Sequence, residues 1–372
     1  MKVRQAAGVV FILAAFGTAT ALRGMASGES LLPMFSLPKP SGTLRIGTRL
    51  LELADAMSPG RRITVQVWYP AAPHGGSRRA PYLLTNERPL FARLVDSMVV
   101  TNAFLDAPIA PGRHAILVGI PGWGGKRENN TALAESLASN GYVVVGFDDM
   151  AHPEIPLDFD SETAAKKSVA WANQKLQMEA HQVGHIITSL ERLDAAPGSA
   201  FQGALDVTRV GLVGFSFGGA VAAETSLHDG RVRAAINLDG SMYGTSLQSG
   251  VVKPFLFVTS STLDAQGEGA SRSIAERYDR DNEAQILGGL KKTGSYLLSL
   301  KNADHYNFVD AALLPSIRHT AVGTINPVLA HDVVAHYALQ FLDTYVRGYP
   351  TMVAGRSSAF GEFATLRRLT GK

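Results

Sequence analysis

Ser216 lies in the pattern Gly214-Phe215-Ser216-Phe217-Gly218. A serine hydroxyl is a poor nucleophile near neutral pH. It becomes a good one when a histidine takes its proton and a carboxylate orients that histidine. Glycine fills 37 of 372 positions, so the pattern by itself arises readily by chance, and a plain turn serine satisfies it equally. The flanks sharpen the reading. "RVGLVG" (Arg209–Gly214) is a strand-like apolar run and "GGAVAAETSL" (Gly218–Leu227) is helix-like. A strand leading in and a helix leading out put the serine on a tight, strained turn that exposes its hydroxyl. Gly214 and Gly218 remove side chains that would collide across that turn. Ser216 is therefore the candidate nucleophile.

The partners of such a serine follow it in the order acid, then histidine. Five of ten histidines come after Ser216: His228, His305, His319, His331 and His336. His305 stands in "SLKNADHYNFVD", in the loop beyond a strand-like run, at the sheet end where loops carry chemistry in open α/β folds. His331 and His336 fall on a closing helix, and His228 at a helix exit. Two carboxylates compete for the acid. Asp239 ends the run "AAINLD" and is held by a short "DGS" turn; Asp264 comes one strand later, in the polar loop after "PFLFVTS". Each would reach the same rim, and the direct attachment of Asp239 to its strand favours it. An acyl-transfer site also needs N–H donors for a developing oxyanion. The amide of Phe217 is one; the loop "GIPGWGG" (Gly119–Gly125) supplies another, assigned to Trp123, unless that stretch is a simple Gly/Pro turn.

These residues need a scaffold that brings them to one edge. "HAILVGI", "YVVVGF", "RVGLVG", "VRAAINL", "PFLFVTS" and "SYLLSL" are near-continuous apolar runs, the signature of strands buried on both faces. Helical stretches alternate with them: "NNTALAESLASN", "KLQMEAHQVGHIITSLERL", "GGAVAAETSL" and "LAHDVVAHYALQFLDTYV". The pattern predicts an α/β fold with a mostly parallel central sheet of about eight strands flanked by helices. "TLRIGTRLLEL" and "RRITVQVWYP" alternate apolar and polar residues and predict a half-exposed antiparallel N-terminal edge. Two inserts, about 71–112 and 151–170, break the rhythm. Residues 43–372 read as a single domain, preceded by a Pro/Gly/Ser-rich linker at 22–42.

Composition narrows the rest. Apolar residues at 46% and charged residues at 18% describe a globular chain. A formal charge of +3 without a Lys/Arg block leaves no nucleic-acid footprint. The absence of cysteine excludes disulfides, thiolate metal sites and a Cys nucleophile. "MKVRQ", the apolar run "AAGVVFILAAF" and "ATA" match a secretory signal at 1–21, cleaved after about Ala21. The alternative is an uncleaved anchor, although the apolar stretch falls somewhat short of the ~20 residues needed to span a bilayer. An exported, periplasmic or secreted protein is expected. "HQVGH" (His181–His185) has a zinc-capable spacing, but Gln182 replaces the glutamate of a zinc protease. "FDDMAH" (Phe147–His152) reads as a strand-end loop in preference to a metal site. No metal and no cofactor is expected.

The motifs "VQVWYP", "VVTNAFLDAPIAPG", "ILVGIPGWGG", "GFSFGG", "INLDG" and "ADHYNF", spread over Val65–Phe308, resemble the platelet-activating-factor acetylhydrolase-like branch of the α/β-hydrolases. That branch neighbours the dienelactone hydrolases and bacterial polyester hydrolases. The resemblance implies an α/β-hydrolase fold and Ca²⁺-independent cleavage of short or oxidised acyl esters. It also favours Asp239, since the family's acid follows the strand after the elbow. Two residues depart from the family: Pro121-Gly122 replaces a usual His-Gly, and Phe215 replaces a frequent histidine. Neither residue type is required by a hole built from backbone amides. The expected partner is a small-molecule ester or lipid, with peripheral contact to a lipid surface. An amidase or peptidase on the same scaffold, and a non-catalytic hydrolase-fold binding protein, remain as alternatives.

Overall fold

Buried Val, Ile and Leu runs cannot stand alone in water, and in this chain they line up side by side. The computed structural model describes residues 35–55, 58, 60–73, 78–84, 98–149, 157–260, 273–293, 295–314, 322–350 and 360–369. Ten strands share one sheet: β1 (Arg45–Ala54), β2 (Arg62–Ala71), β3 (Phe104–Leu105), β4 (His114–Ile120), β5 (Val143–Phe147), β6 (Leu205–Phe215), β7 (Val232–Leu238), β8 (Phe255–Thr259), β9 (Tyr296–Leu300) and β10 (Ala364–Arg368). Their spatial order is β10-β9-β8-β7-β6-β4-β5-β2-β1-β3. Strands β4 to β9 are mutually parallel. The hairpin β1–β2 runs antiparallel and joins β5, and β10 is antiparallel to β9.

Parallel neighbours need long crossovers, and helices supply them. They are α1 (Thr131–Ser139), α2 (Glu162–Ala195), α3 (Phe217–His228), α4 (Gly244–Ser249), α5 (Ile274–Thr293) and α6 (Pro327–Leu342). Helices α2, α3 and α4 pack on one another and α1 packs on α6, giving two groups that flank the sheet. From β4 the chain moves outward to β5, then returns to β6 on the other side of β4. The crevice outside the carboxyl ends of β4 and β6 is thus a topological switch point, where open α/β sheets bind ligands.

The architecture agrees with the sequence reading, with four differences. Among the described residues the sheet has ten strands instead of about eight, because the two-residue β3 and the C-terminal β10 lack apolar runs. Strand β2 is buried from Val65 to Ala71 and not half-exposed, since Val65, Val67 and Tyr69 join the hydrophobic core and α1 packs against the strand. Its polar Gln66 survives there by donating to Thr48 Oγ1 at 3.1 Å. Helix α2 starts at Glu162, capped by Ser161 Oγ on the Ala164 N–H at 3.1 Å, so half of the expected 151–170 insert is helix. The sequence reading has no counterpart for the 20-residue α5; its composition is largely polar, with Ile286 and Leu290 buried on one face, and it joins β8 to parallel β9.

Of the described residues, 35–37, 80–84 and 98–101 belong to one unit, and the rest to another. In the first, Phe35–Ser36 and Val99–Val100 pair as short parallel strands. The second holds the ten-stranded sheet. Among the described residues no helix is long and apolar enough to cross a membrane. The expected leader at 1–21 and most of the linker lie outside the described residues.

Two straps tie the loop beyond β9 to the start of α1. Asn130 Nδ2 donates to the Phe308 carbonyl at 2.7 Å, and the buried Asp310 carboxylate accepts the Ala132 N–H at 3.2 Å. Farther along α1, the fully buried Glu135 accepts from the Asn102 and Ala103 N–H groups, both at 2.9 Å, and from Asn102 Nδ2 at 2.8 Å. Burial pushes this carboxyl up to about 7 against those donors. A folded-state value above the unfolded one stabilises fully below the unfolded value and is lost as pH rises through the folded one. Urea midpoints should therefore fall from about pH 4.5 to 7 in the parent protein, and Glu135→Gln should flatten that decline. Equal slopes would contradict the assignment.

Candidate active site

Ser216 occupies the last turn of backbone between β6 and α3, at φ 53° and ψ −124°. A non-glycine residue there stores about 1–3 kcal/mol of strain. The surroundings hold it: the Ser216 N–H donates to the Leu238 carbonyl at 2.9 Å, and the Gly219 N–H donates to the Ser216 carbonyl at 2.9 Å. The flanking glycines are required by close approach. A Cβ on Gly214 would overlap the Gly218 carbonyl, and one on Gly218 would overlap the carbonyls of Ile120 and Pro121. Backbone from three segments converges on the serine with no room for side chains.

His305 Nε2 lies 3.1 Å from Ser216 Oγ, and His305 Nδ1 lies 2.9 Å from Asp239 Oδ2. Residues 216, 239 and 305 thus form a continuous hydrogen-bonded row. Asp239 also takes a left-handed backbone, at φ 57°. Its carboxylate accepts the Ser260 N–H at 2.7 Å and the Ser260 hydroxyl at 3.0 Å. The turn that carries it is locked from inside: the fully buried Asn237 accepts the Gly240 N–H at 2.7 Å and donates to the Gly240 carbonyl at 3.0 Å. His305 opens a short 3₁₀ turn, His305–Phe308, whose cap Asp304 accepts the His305 N–H at 2.6 Å. The Phe215 ring packs beside the imidazole, centroids 4.7 Å apart. Asp264 lies outside the described residues.

The loop after β4 rests on the elbow. A Cβ on Gly122 would come 3.1 Å from the Ser216 Cβ, so this loop passes close to the serine. The Gly125 N–H closes this turn onto the Gly122 carbonyl at 2.8 Å. Phe217 opens α3, where first-turn N–H groups lack an intrahelical acceptor. The rings of Trp123 and Phe217 meet edge to face with centroids 5.0 Å apart. A cleft of about 410 Å³ lies to one side, lined by Phe159, Tyr243, Arg277, Tyr278 and Asn282 among others. Tyr243 joins it to the site through a ring contact with Phe217 at 5.8 Å.

Other residues singled out in the sequence sit elsewhere. Among the described residues no group of three or more His, Asp or Glu is arranged to hold a metal ion. His181 is exposed on α2. His336 contacts Gln340 at 2.8 Å, and burial pushes His331 down to about 4. His228 pairs with Glu224 at 3.3 Å. Asp148 and Asp149 are taken up by cations: Arg127 Nη1 lies 3.0 Å from Asp148 and Lys175 Nζ 2.5 Å from Asp149. Sequence reasoning missed Asn237, Ser260 and Lys175, and took Asp149 only as part of a strand-end loop. Only Asn237 carried a signal, being a polar residue inside an otherwise apolar buried strand.

The strand-end serine is bonded to a histidine that is bonded to a carboxylate, and similarity to known proteins narrows the class of protein. Residues 193–349 match the family model "Platelet-activating factor acetylhydrolase, isoform II", a stretch that contains Ser216, Asp239 and His305. The chain is 21% identical over 286 residues to a platelet-activating factor acetylhydrolase of Cavia porcellus, covering 68% of this chain and 63% of that protein. It is 22% identical over 377 residues to a probable 1-alkyl-2-acetylglycerophosphocholine esterase of Arthroderma benhamiae, covering 88% of this chain and 91% of that one. The structure resembles a ferulic acid esterase from Streptomyces cinnamoneus with a TM-score of 0.68 at 26% identity, over 90% of this chain and 99% of that one. The fold is that of the α/β-hydrolases. These likenesses are to proteins of the platelet-activating-factor acetylhydrolase-like branch of that fold, and they support a carboxylic ester hydrolase.

Two substitutions test the geometry. Gly218→Ala should destabilise the protein by several kcal/mol, since the added methyl would meet backbone carbonyls that cannot step aside; an unchanged urea midpoint would contradict the packing. Ser260→Ala removes a hydroxyl donor from the Asp239 carboxylate, a bond worth about 1.5 kcal/mol, and should lower kcat/KM about tenfold.

Proposed function

We propose that the protein hydrolyses short-chain or lipid-like acyl esters through an acyl-enzyme on Ser216. In the first step Ser216 Oγ attacks the acyl carbonyl while His305 Nε2 takes the hydroxyl proton. Asp239 accepts the hydrogen bond from His305 Nδ1–H, which fixes the tautomer and stabilises the imidazolium. The negative charge that develops on the carbonyl oxygen is met by the N–H groups of Phe217 and Trp123. His305 then delivers the proton to the departing alkoxide. Water enters, His305 removes its proton, and attack on the acyl carbonyl releases the acid and restores Ser216.

The observation that carries this reading is the single imidazole with Ser216 Oγ 3.1 Å from one nitrogen and Asp239 Oδ2 2.9 Å from the other. The family match and the esterase neighbours support ester over amide substrates. The Phe215 ring beside His305 and the packed rings of Trp123 and Phe217 put apolar surface around the elbow, which supports an acyl substrate. The N-terminal leader motif supports export.

Ser216→Ala should lower kcat on p-nitrophenyl esters by as much as ~10⁶. Asp239→Asn should cost about 10⁴, because the amide stabilises the wrong imidazole tautomer, whereas Asp264→Asn should be mild. The reverse order for the two acids would overturn the acid assignment. Faster turnover of aminoacyl anilides than of p-nitrophenyl esters would favour an amidase, and no turnover of either would favour a binding protein.

A further inference from the structure

Lys175, on α2, is a cation buried where an apolar residue would ordinarily sit; its side chain is only 2% exposed. Its Nζ lies 2.5 Å from Asp149 Oδ1 and 2.5 Å from Glu179 Oε1. Desolvating an ammonium costs several kcal/mol, and such an ion pair seldom stabilises a fold more than apolar packing would. Burial acts to lower the lysine's value, but Glu179 and Asp149 raise it overall. Burial, and then the Asp149 carboxylate, push Glu179 well above the usual carboxylate range.

The connections of this cluster lead to one loop. The second oxygen of Asp149, Oδ2, accepts the Gly124 N–H at 2.5 Å, and the Asp149 N–H donates to the Gly125 carbonyl at 3.0 Å. The Gly125 N–H in turn donates to the Gly122 carbonyl at 2.8 Å. A trans peptide is planar, with its C=O and N–H pointing opposite ways. Fixing the Gly122 carbonyl therefore aims the N–H of Trp123, which shares that plane. The same ammonium lies over the rings of Trp123 and Phe217, 5.2 and 5.8 Å from their centroids. Those are the two residues assigned the oxyanion-binding amides. Next door, Asp148 accepts the Arg127 N–H at 3.0 Å and anchors the loop's far end.

We propose that Lys175 and Asp149 are positioning residues for the oxyanion hole, holding the 122–125 loop so that the Trp123 N–H faces the developing charge at Ser216. This rests on the Ser216 reading. The pair touches no reacting atom and acts through the backbone.

The test is steady-state kinetics of the full chain on a p-nitrophenyl ester, with Asp149→Ala, Lys175→Met and the size-conserving Asp149→Asn. It is paired with the affinity of an arylboronic acid, which adds to a serine as a charged tetrahedral adduct. Asp149→Ala and Lys175→Met should each lower kcat by about 10²–10³, the typical cost of one oxyanion donor, with KM changed less than about threefold. Boronic acid affinity should fall in parallel with kcat/KM. Asp149→Asn keeps an acceptor for the Gly124 N–H and should recover most of kcat. A merely structural role would not separate kcat from KM or track the boronic acid. An unchanged kcat, a rise in KM alone, or a loss that only follows the folded fraction in urea overturns the proposal, as does failure of all three variants to fold. If Ser216→Ala instead retains activity, the hydrolase reading itself has failed.

Discussion

Ser216 reaches its histidine through a backbone conformation that its own side chain disfavours, and the rest of the site is arranged around holding it there. At φ 53° the residue is strained. What keeps it in place is the sheet on both sides: β4 and β7 flank β6, the Ser216 N–H is bound to the end of β7, and glycine backbone is pressed against the end of β4. Those contacts are made by main chain, so the turn cannot relax without dismantling three parallel strands. The strain is thereby offset by the fold as a whole, as it is at other functional sites.

The same edge receives the partners. Asp239 leaves β7 one residue past its end, also left-handed, with its turn clamped by the Asn237 side chain. His305 leaves β9 on a loop strapped to α1 by Asn130 and Asp310. Each group is thus fixed by its own local bonds before it meets the others, so forming the row of hydrogen bonds requires little further ordering. Electrostatic preorganisation of this kind costs no rearrangement at the moment charge develops. The departure at Phe215 fits the scheme, because an aromatic ring beside the imidazole packs it without competing for its hydrogen bonds. The rings of Trp123 and Phe217 pack on one another where the loop after β4 meets the start of α3.

Much of this was legible in the sequence for a physical reason. Strands covered on both faces must be apolar throughout, so β4 and β7 could be read to the residue from "HAILVGI" and "VRAAINL". The elbow glycines were legible because their absence of a side chain is the constraint itself. Ser216, Asp239 and His305 could be chosen because each follows such a strand within a few residues. What stayed hidden depends on tertiary neighbours. Lys175 looks like any surface lysine on an amphipathic helix until Asp149 and Glu179 enclose it. Ser260 is an ordinary strand-end serine until Asp239 arrives beside it. Helix α5 is hidden by a largely polar composition, its buried face resting on few residues such as Ile286 and Leu290. Strand β10 gains its place only by pairing with β9.

The most direct test is to find which atom reacts. Incubating the protein with a fluorophosphonate, digesting it with trypsin and mapping the adduct by mass spectrometry reads the nucleophile without assuming a substrate. One phosphonyl group per chain on the peptide Val210–Arg231, localised to Ser216, with ester hydrolysis lost in proportion to labelling, is the expected result. An adduct on another residue, or full labelling with hydrolysis intact, would contradict the account.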